Sequence, residues 1–126
     1  MSVADLSISN WDDEVLHSDI LVIIEFWHDR CGWCKRLEPI YQVLAKKYQN
    51  KLKFTKFNVL ESRENQQFAS KYGVMGTPTL MFFCEARSVG VLVGFQPQDR
   101  LILQIEDMLN THQKCLKQST LLTPES

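Results

Sequence analysis

Apolar positions fall into short blocks along the chain, and the spacing within each block predicts a kind of element. Residues 20–27, Ile-Leu-Val-Ile-Ile-Glu-Phe-Trp, form an almost unbroken apolar run, which predicts a strand buried on both faces. Over residues 34–48 the period changes. Leu37, Ile40, Tyr41, Leu44 and Tyr48 recur at helical spacing, and Pro39 lies inside the pattern, where it should kink the helix. Residues 52–59 alternate in part and predict a second major strand. Residues 62–72 predict a helix with Phe68 and Tyr72 one turn apart, ended by Gly73. Residues 79–83 and 89–93 predict two short strands joined by a polar turn. Pro97 can open a last helix, whose core stripe is Leu101, Ile102, Ile105, Met108 and Leu109. Near the N-terminus, Ser9 stands three residues before Asp12 and predicts the cap of a short helix ending near His17.

The order is helix, strand, helix, strand, helix, hairpin, helix. It predicts an α/β fold with a central mixed sheet of four to five strands, helices on both faces, in three α/β/α layers. In such sheets reactive groups gather beyond the carboxyl ends of parallel strands. Residues 1–113 are expected to form a single domain, and residues 114–126 a flexible tail. At 126 residues and 44% apolar, the chain has enough material for a core without disulfide staples. A net charge of −1 and the lack of a basic block argue against nucleic acid or an anionic membrane as the main partner. The longest apolar run, residues 20–24, is too short to span a bilayer. The N-terminal stretch carries Asp5, Asp12, Asp13 and Glu14, with no basic region leading into an apolar stretch, so no secretory signal is expected. Of the four cysteines, Cys84 and Cys115 stand alone. The expectation is a reduced, cytoplasmic chain and a monomer. Cys84 is then a strand-end thiol without function, and Cys115 an inert thiol near the tail, with dimerisation or glutathionylation as its alternatives.

The other two cysteines carry the chemistry. Cys31-Gly32-Trp33-Cys34 follows the first apolar strand and opens a helical pattern. Residues i and i+3 of a helix share a face, so a slightly tightened first turn can close or open a disulfide with little backbone movement. The thiolate is the attacking species, and an unperturbed cysteine is only a few per cent ionised near neutral pH. Lowering a thiol's pKa by about 1.5 units takes roughly 2 kcal/mol of preferential anion stabilisation. A helix N-terminus supplies part of this through its dipole and its free N–H groups, and Arg30 beside Cys31 adds positive potential. Cys31 precedes the helix and is assigned as nucleophile. Cys34, one turn in, is assigned as the resolving thiol, with proximity as its advantage. Glu25 is flanked by apolar residues and is expected to be buried with a raised pKa. It would take the proton from Cys34, with Lys56 of the neighbouring strand as its partner. The alternative for Glu25 is a strand-edge side chain facing solvent. Trp27 is expected in the core beside the site, and Trp33 exposed as a contact for partner proteins or as a cover over Cys34. His28 could tune Cys31 or be a loop residue without a role.

These segments resemble the thioredoxin family. The stretch from Glu25 to Lys35, with Gly32 and Trp33 between the cysteines, is similar to that family's active-site segment, and Pro39 to its helix-kinking proline. Lys56-Phe57-Asn58 resembles its second-strand segment. Tyr72-Gly73-Val74-Met75-Gly76-Thr77-Pro78-Thr79-Leu80 is similar to the segment bearing the family's cis-proline, here Pro78, and Val93-Gly94 to the last strand's glycine. The match spans about residues 5–110 in the right order. The resemblance implies a thioredoxin fold and a dithiol–disulfide oxidoreductase that reduces protein disulfides and needs no bound cofactor. It implies that Pro78 packs against the active-site disulfide and that the Thr77 backbone pairs with a substrate strand, in a region that includes Trp33, Met75 and Gly94. The implied partners are disulfide-containing proteins and a thioredoxin-reductase-type electron donor. The chain departs from the family pattern at Trp33 (usually proline), Glu25 (aspartate), Arg30 (tryptophan) and Leu60 (commonly acidic).

Three other readings compete. Structural zinc needs two ligand pairs, and Cys84, Cys115, His17, His28 and His112 do not supply the second, so no metal is expected. The same exchange run forward would make the chain a disulfide oxidase or isomerase, a character the Cys34–Pro39 stretch partly shares. A non-enzymatic scaffold role is the third.

Overall fold

The computed structural model describes residues 3–116. The strands are β1 (Val3–Asp5), β2 (Leu21–Trp27), β3 (Leu52–Asn58), β4 (Thr79–Cys84) and β5 (Arg87–Val93). The helices are α1 (Gly32–Lys47), α2 (Arg63–Lys71) and α3 (Gln98–Thr111). The strands form one five-stranded sheet in the order β1-β3-β2-β4-β5. β1, β3 and β2 run parallel, whereas β4 is antiparallel to β2 and β5 to β4. This is the expected mixed α/β sheet, with its most apolar strand, β2, at the centre.

Alternation along each strand sends successive side chains to opposite faces. Leu21 and Ile23 of β2 pack with Leu37, Tyr41 and Leu44 of α1 and Leu101, Ile105 and Leu109 of α3. Val22, Ile24 and Phe26 face the other way, onto Trp11, Val15 and Ala69. The result is three layers. By the same alternation Glu25 and Lys56 lie on the α1 side of the sheet, and their strands are in register at this pair.

The structure corrects several expectations. β1 has no signal in the sequence pattern, since it is only three residues long and exists by pairing with β3. Ser9 does not cap the first helix. Ser7 and Asn10 instead form a reciprocal turn, Asn10 Oδ1 accepting from Ser7 N–H at 2.7 Å and Ser7 Oγ from Asn10 N–H at 3.1 Å. The segment that follows, Asp12–Leu16, is a turn of π-helix. α1 starts at Gly32 rather than Cys34, with Cys31 as its N-cap, and Pro97 caps α3 from just outside it. Cys84 and Cys115 do not stand alone. Both are buried, their Cα atoms are 5.9 Å apart, and they are joined as a disulfide. Even residues of β4 face α3, and the chain beyond α3 returns over that face as a 3-10 turn, Gln113–Cys115. The expected reduced state of these two residues is thereby overturned. The rest of the expected tail, residues 117–126, lies outside the described residues.

The β4–β5 hairpin turns through Glu85 and Ala86, at φ 53° and 67°. Two successive left-handed residues give the turn that matches strand twist, and side chains with a Cβ are strained there. Ala86→Gly is expected to stabilise the fold by about 1 kcal/mol, read as a higher urea midpoint at unchanged slope.

Candidate active site

β2 and β4 are adjacent, and Phe26 of one pairs with Thr79 of the other. The loops leaving this end of the sheet therefore meet: the Cys31 segment beyond β2 and the Met75–Pro78 segment before β4. Cys31 has an extended backbone, and its sulfur accepts the Cys34 N–H at 3.1 Å. Cys31 and Cys34 are joined as a disulfide with Cα atoms 5.2 Å apart. Both are largely buried, Cys31 at 8% exposure and Cys34 at 4%, so the accessible side is Cys31's by a narrow margin. The Arg30 N–H donates to His28 Nδ1 at 3.1 Å, and the Cys31 N–H to the His28 carbonyl at 3.2 Å. His28 thus shapes the turn that delivers Cys31 to the helix.

The residues the sequence marked as docking groups fall in the segments at this same end of the sheet. Trp33 is 54% exposed, its ring 5.4 Å from that of Phe95 and 5.0 Å below the Arg36 guanidinium. Met75 is 97% exposed. The Thr77–Pro78 bond is cis and Pro78 is buried. Gly94, at φ 90°, donates its N–H to the Pro78 carbonyl at 2.8 Å. That left-handed turn is open to glycine without strain and clamps the proline loop to the end of β5. Pro39 lies within α1, four residues after Lys35, whose carbonyl it cannot pair.

A cleft of about 180 Å³ runs under the disulfide, lined by Glu25, Trp27, Cys34, Lys35, Glu38 and Lys56. Glu25 is 1% exposed, which removes the solvent-facing alternative. Its Oε1 is buried without a hydrogen-bond partner among the described residues. Burial pushes its carboxyl from 4.5 up to about 7; Glu38 adds to the rise and Lys56 opposes it. Lys56 is not Glu25's ion-pair partner. Among the described residues the one carboxylate within 4 Å of its ammonium is Glu38, at 3.9 Å, and the ammonium lies 4.6 Å over the Trp27 ring. Trp27 is accordingly half-buried rather than core. Sequence reasoning missed Glu38, Arg36 and Phe95. Glu38 had a usable signal, since it follows Cys34 by one helical turn.

Comparison with known proteins agrees with this geometry. The family model described as Thioredoxin matches residues 2–107. The chain is 36% identical to Thioredoxin 1 of Nostoc sp. over 108 residues, covering 86% of this chain and 98% of that protein. It is 37% identical to the chloroplastic Thioredoxin M4 of Arabidopsis thaliana, over 86% of this chain and 55% of that one. It is 39% identical to the Thioredoxin of Rickettsia typhi, over 80% of this chain and 90% of the relative. A cystine at the mouth of a helix, beside a cis-proline loop and over a buried carboxyl, is thus found in a chain that belongs to the thioredoxin family of protein-disulfide reductases.

Proposed function

We propose that the chain reduces disulfides of partner proteins by a two-step exchange in which Cys31 attacks and Cys34 resolves. The observation that carries this is Cys31's position as N-cap of α1, with its sulfur accepting the Cys34 N–H at 3.1 Å. In the reduced protein the same donor and the helix dipole favour the Cys31 thiolate. The thiolate attacks one substrate sulfur, a mixed disulfide forms, and the other substrate sulfur leaves as a thiolate that takes a proton. Cys34 then gives its proton to Glu25 and attacks Cys31 Sγ. The Cys31–Cys34 bond forms, the mixed disulfide breaks, and the substrate leaves with the two electrons. A reductase enzyme of the thioredoxin-reductase type would return two electrons to the pair. Substrate chains would lie along the Thr77 backbone, with Trp33, Met75, Pro78 and Gly94 around them.

Reduction of insulin with a chemical electron source tests the proposal, and turnover retained in Cys31→Ser would refute the assigned nucleophile. The direction of electron flow is read from the reduction potential. A value more reducing than the glutathione pool supports the reductase, and one near the strongest periplasmic oxidants would move the protein to the oxidase class.

The relay role of Glu25 has a signature in stability. Its carboxyl loses a proton near 4.5 in the unfolded chain but near 7 in the folded one. Between those values the native state holds the extra proton, so stability falls as pH rises through the window and is level above it. The full loss is about 3 kcal/mol. Glu25→Leu is therefore expected to be more stable than the parent at pH 8 by roughly 2–3 kcal/mol, a gain that fades toward pH 4. Its insulin reduction at pH 7 is expected to drop about a hundredfold, the low end for a general base. Unchanged activity across pH would dismiss the relay.

A further inference from the structure

The cleft under Cys34 holds a second carboxylate that the exchange steps leave unused. Glu38 sits on the same face of α1 as Cys34, one turn on. Both of its oxygens are engaged: Oε2 accepts from Gln42 Nε2 at 3.0 Å, and Oε1 lies 3.9 Å from Lys56 Nζ. Glu25 is in register with Lys56 across the sheet, yet its buried Oε1 has no partner among the described residues. The Lys56 ammonium is committed to Glu38 and to the face of Trp27 instead.

We propose that Glu38 is a positioning residue for proton transfer at Cys34: held by Gln42, it draws Lys56 away from Glu25 and keeps a negative charge beside it, so that Glu25 remains able to accept a proton. This rests on the relay reading above. An ammonium free to settle on the Glu25 carboxylate would stabilise its charged form and take away its basicity near neutral pH. The groups facing Glu25 come from three elements. β3 supplies Lys56; α1 supplies Cys34, Lys35, Glu38 and Tyr41; the loop after β2 supplies His28 and Asp29. β4 presents the apolar Leu80 in register. The Tyr41 hydroxyl donates to the Thr55 carbonyl at 2.6 Å and is pushed well above its ordinary range by burial, so it stays neutral. Burial is the largest cause of the raised Glu25 carboxyl, and the charges that bear on it are Glu38, which raises it further, and Lys56, which lowers it.

The test is the titration of the Glu25 carboxyl carbon by 13C NMR in the protein with the Cys31–Cys34 disulfide closed, in the parent, Glu38→Gln, Lys56→Met and the double variant. The parent is expected to titrate near 7. Glu38→Gln should move the midpoint down by about one pH unit, a tenfold loss of proton affinity. The double variant should return toward the parent, because the ammonium that Glu38 restrained is gone. The acid limb of insulin reduction should follow the same order. If Glu38→Gln leaves both the midpoint and the acid limb in place while the parent titrates near neutrality, the role of Glu38 is refuted and the relay stands. If Glu25 of the parent titrates like an ordinary carboxylate, the relay itself falls, and this inference with it.

Discussion

Cys34→Ser is expected to turn a catalyst into a trap. Cys31 would still attack a substrate disulfide, but the mixed disulfide would have no internal thiol to break it. In the intact site the resolving sulfur is already within bonding reach, with Cα atoms 5.2 Å apart. A well-oriented intramolecular group acts at effective concentrations of about 10⁵ M or more, against millimolar thiols from solution. Release should therefore slow by at least about a thousandfold even if most of that advantage is lost. Intact-mass analysis after mixing with an oxidised protein should show a one-to-one adduct that dithiothreitol removes. Cys31→Ser should show none. An adduct through Cys34 in the Cys31→Ser protein would reverse the roles of the two sulfurs.

The features readable in the sequence were the local ones. The apolar run through Ile24 marked β2 as the central strand, because a strand covered on both faces needs apolar residues at every position. Cys31 and Cys34 are three apart, and their helix is announced by the spacing of Leu37, Tyr41 and Leu44. Glu25 is legible as buried from the apolar run on either side of it, residues 20–24 and 26–27. What stayed hidden depends on contacts distant in sequence. β1 is a strand only because Phe54–Lys56 offers it an edge. The sequence offers Lys56 to Glu25 from the neighbouring strand, but the helix on top brings Glu38 closer to the ammonium. Cys84 and Cys115, separated by 31 positions, looked like two unrelated thiols. Only the path of α3 across the sheet brings the second back to the first.

That cystine is expected to hold up much of the fold. A cross-link between residues 31 apart removes chain entropy from the unfolded state worth about 3–4 kcal/mol. For a domain near this size the loss corresponds to roughly 10–15 °C in Tm. The clean background is Cys31→Ser/Cys34→Ser, in which Cys84 and Cys115 are the remaining cysteines. There, unfolding and refolding with excess dithiothreitol should lower the midpoint by that amount, and reoxidation should restore it. Both sulfurs are shielded, at 3% and 2% exposure, so the reductant should act slowly on the folded protein and quickly once it is opened by denaturant. The active-site pair, in contrast, should reduce without unfolding. The protein would then carry two disulfides with separate tasks: one at the carboxyl end of β2 that must open, and one at the far end of β4 that must not. A midpoint indifferent to reductant, or two freely titrating thiols in the folded oxidised protein, would overturn this division.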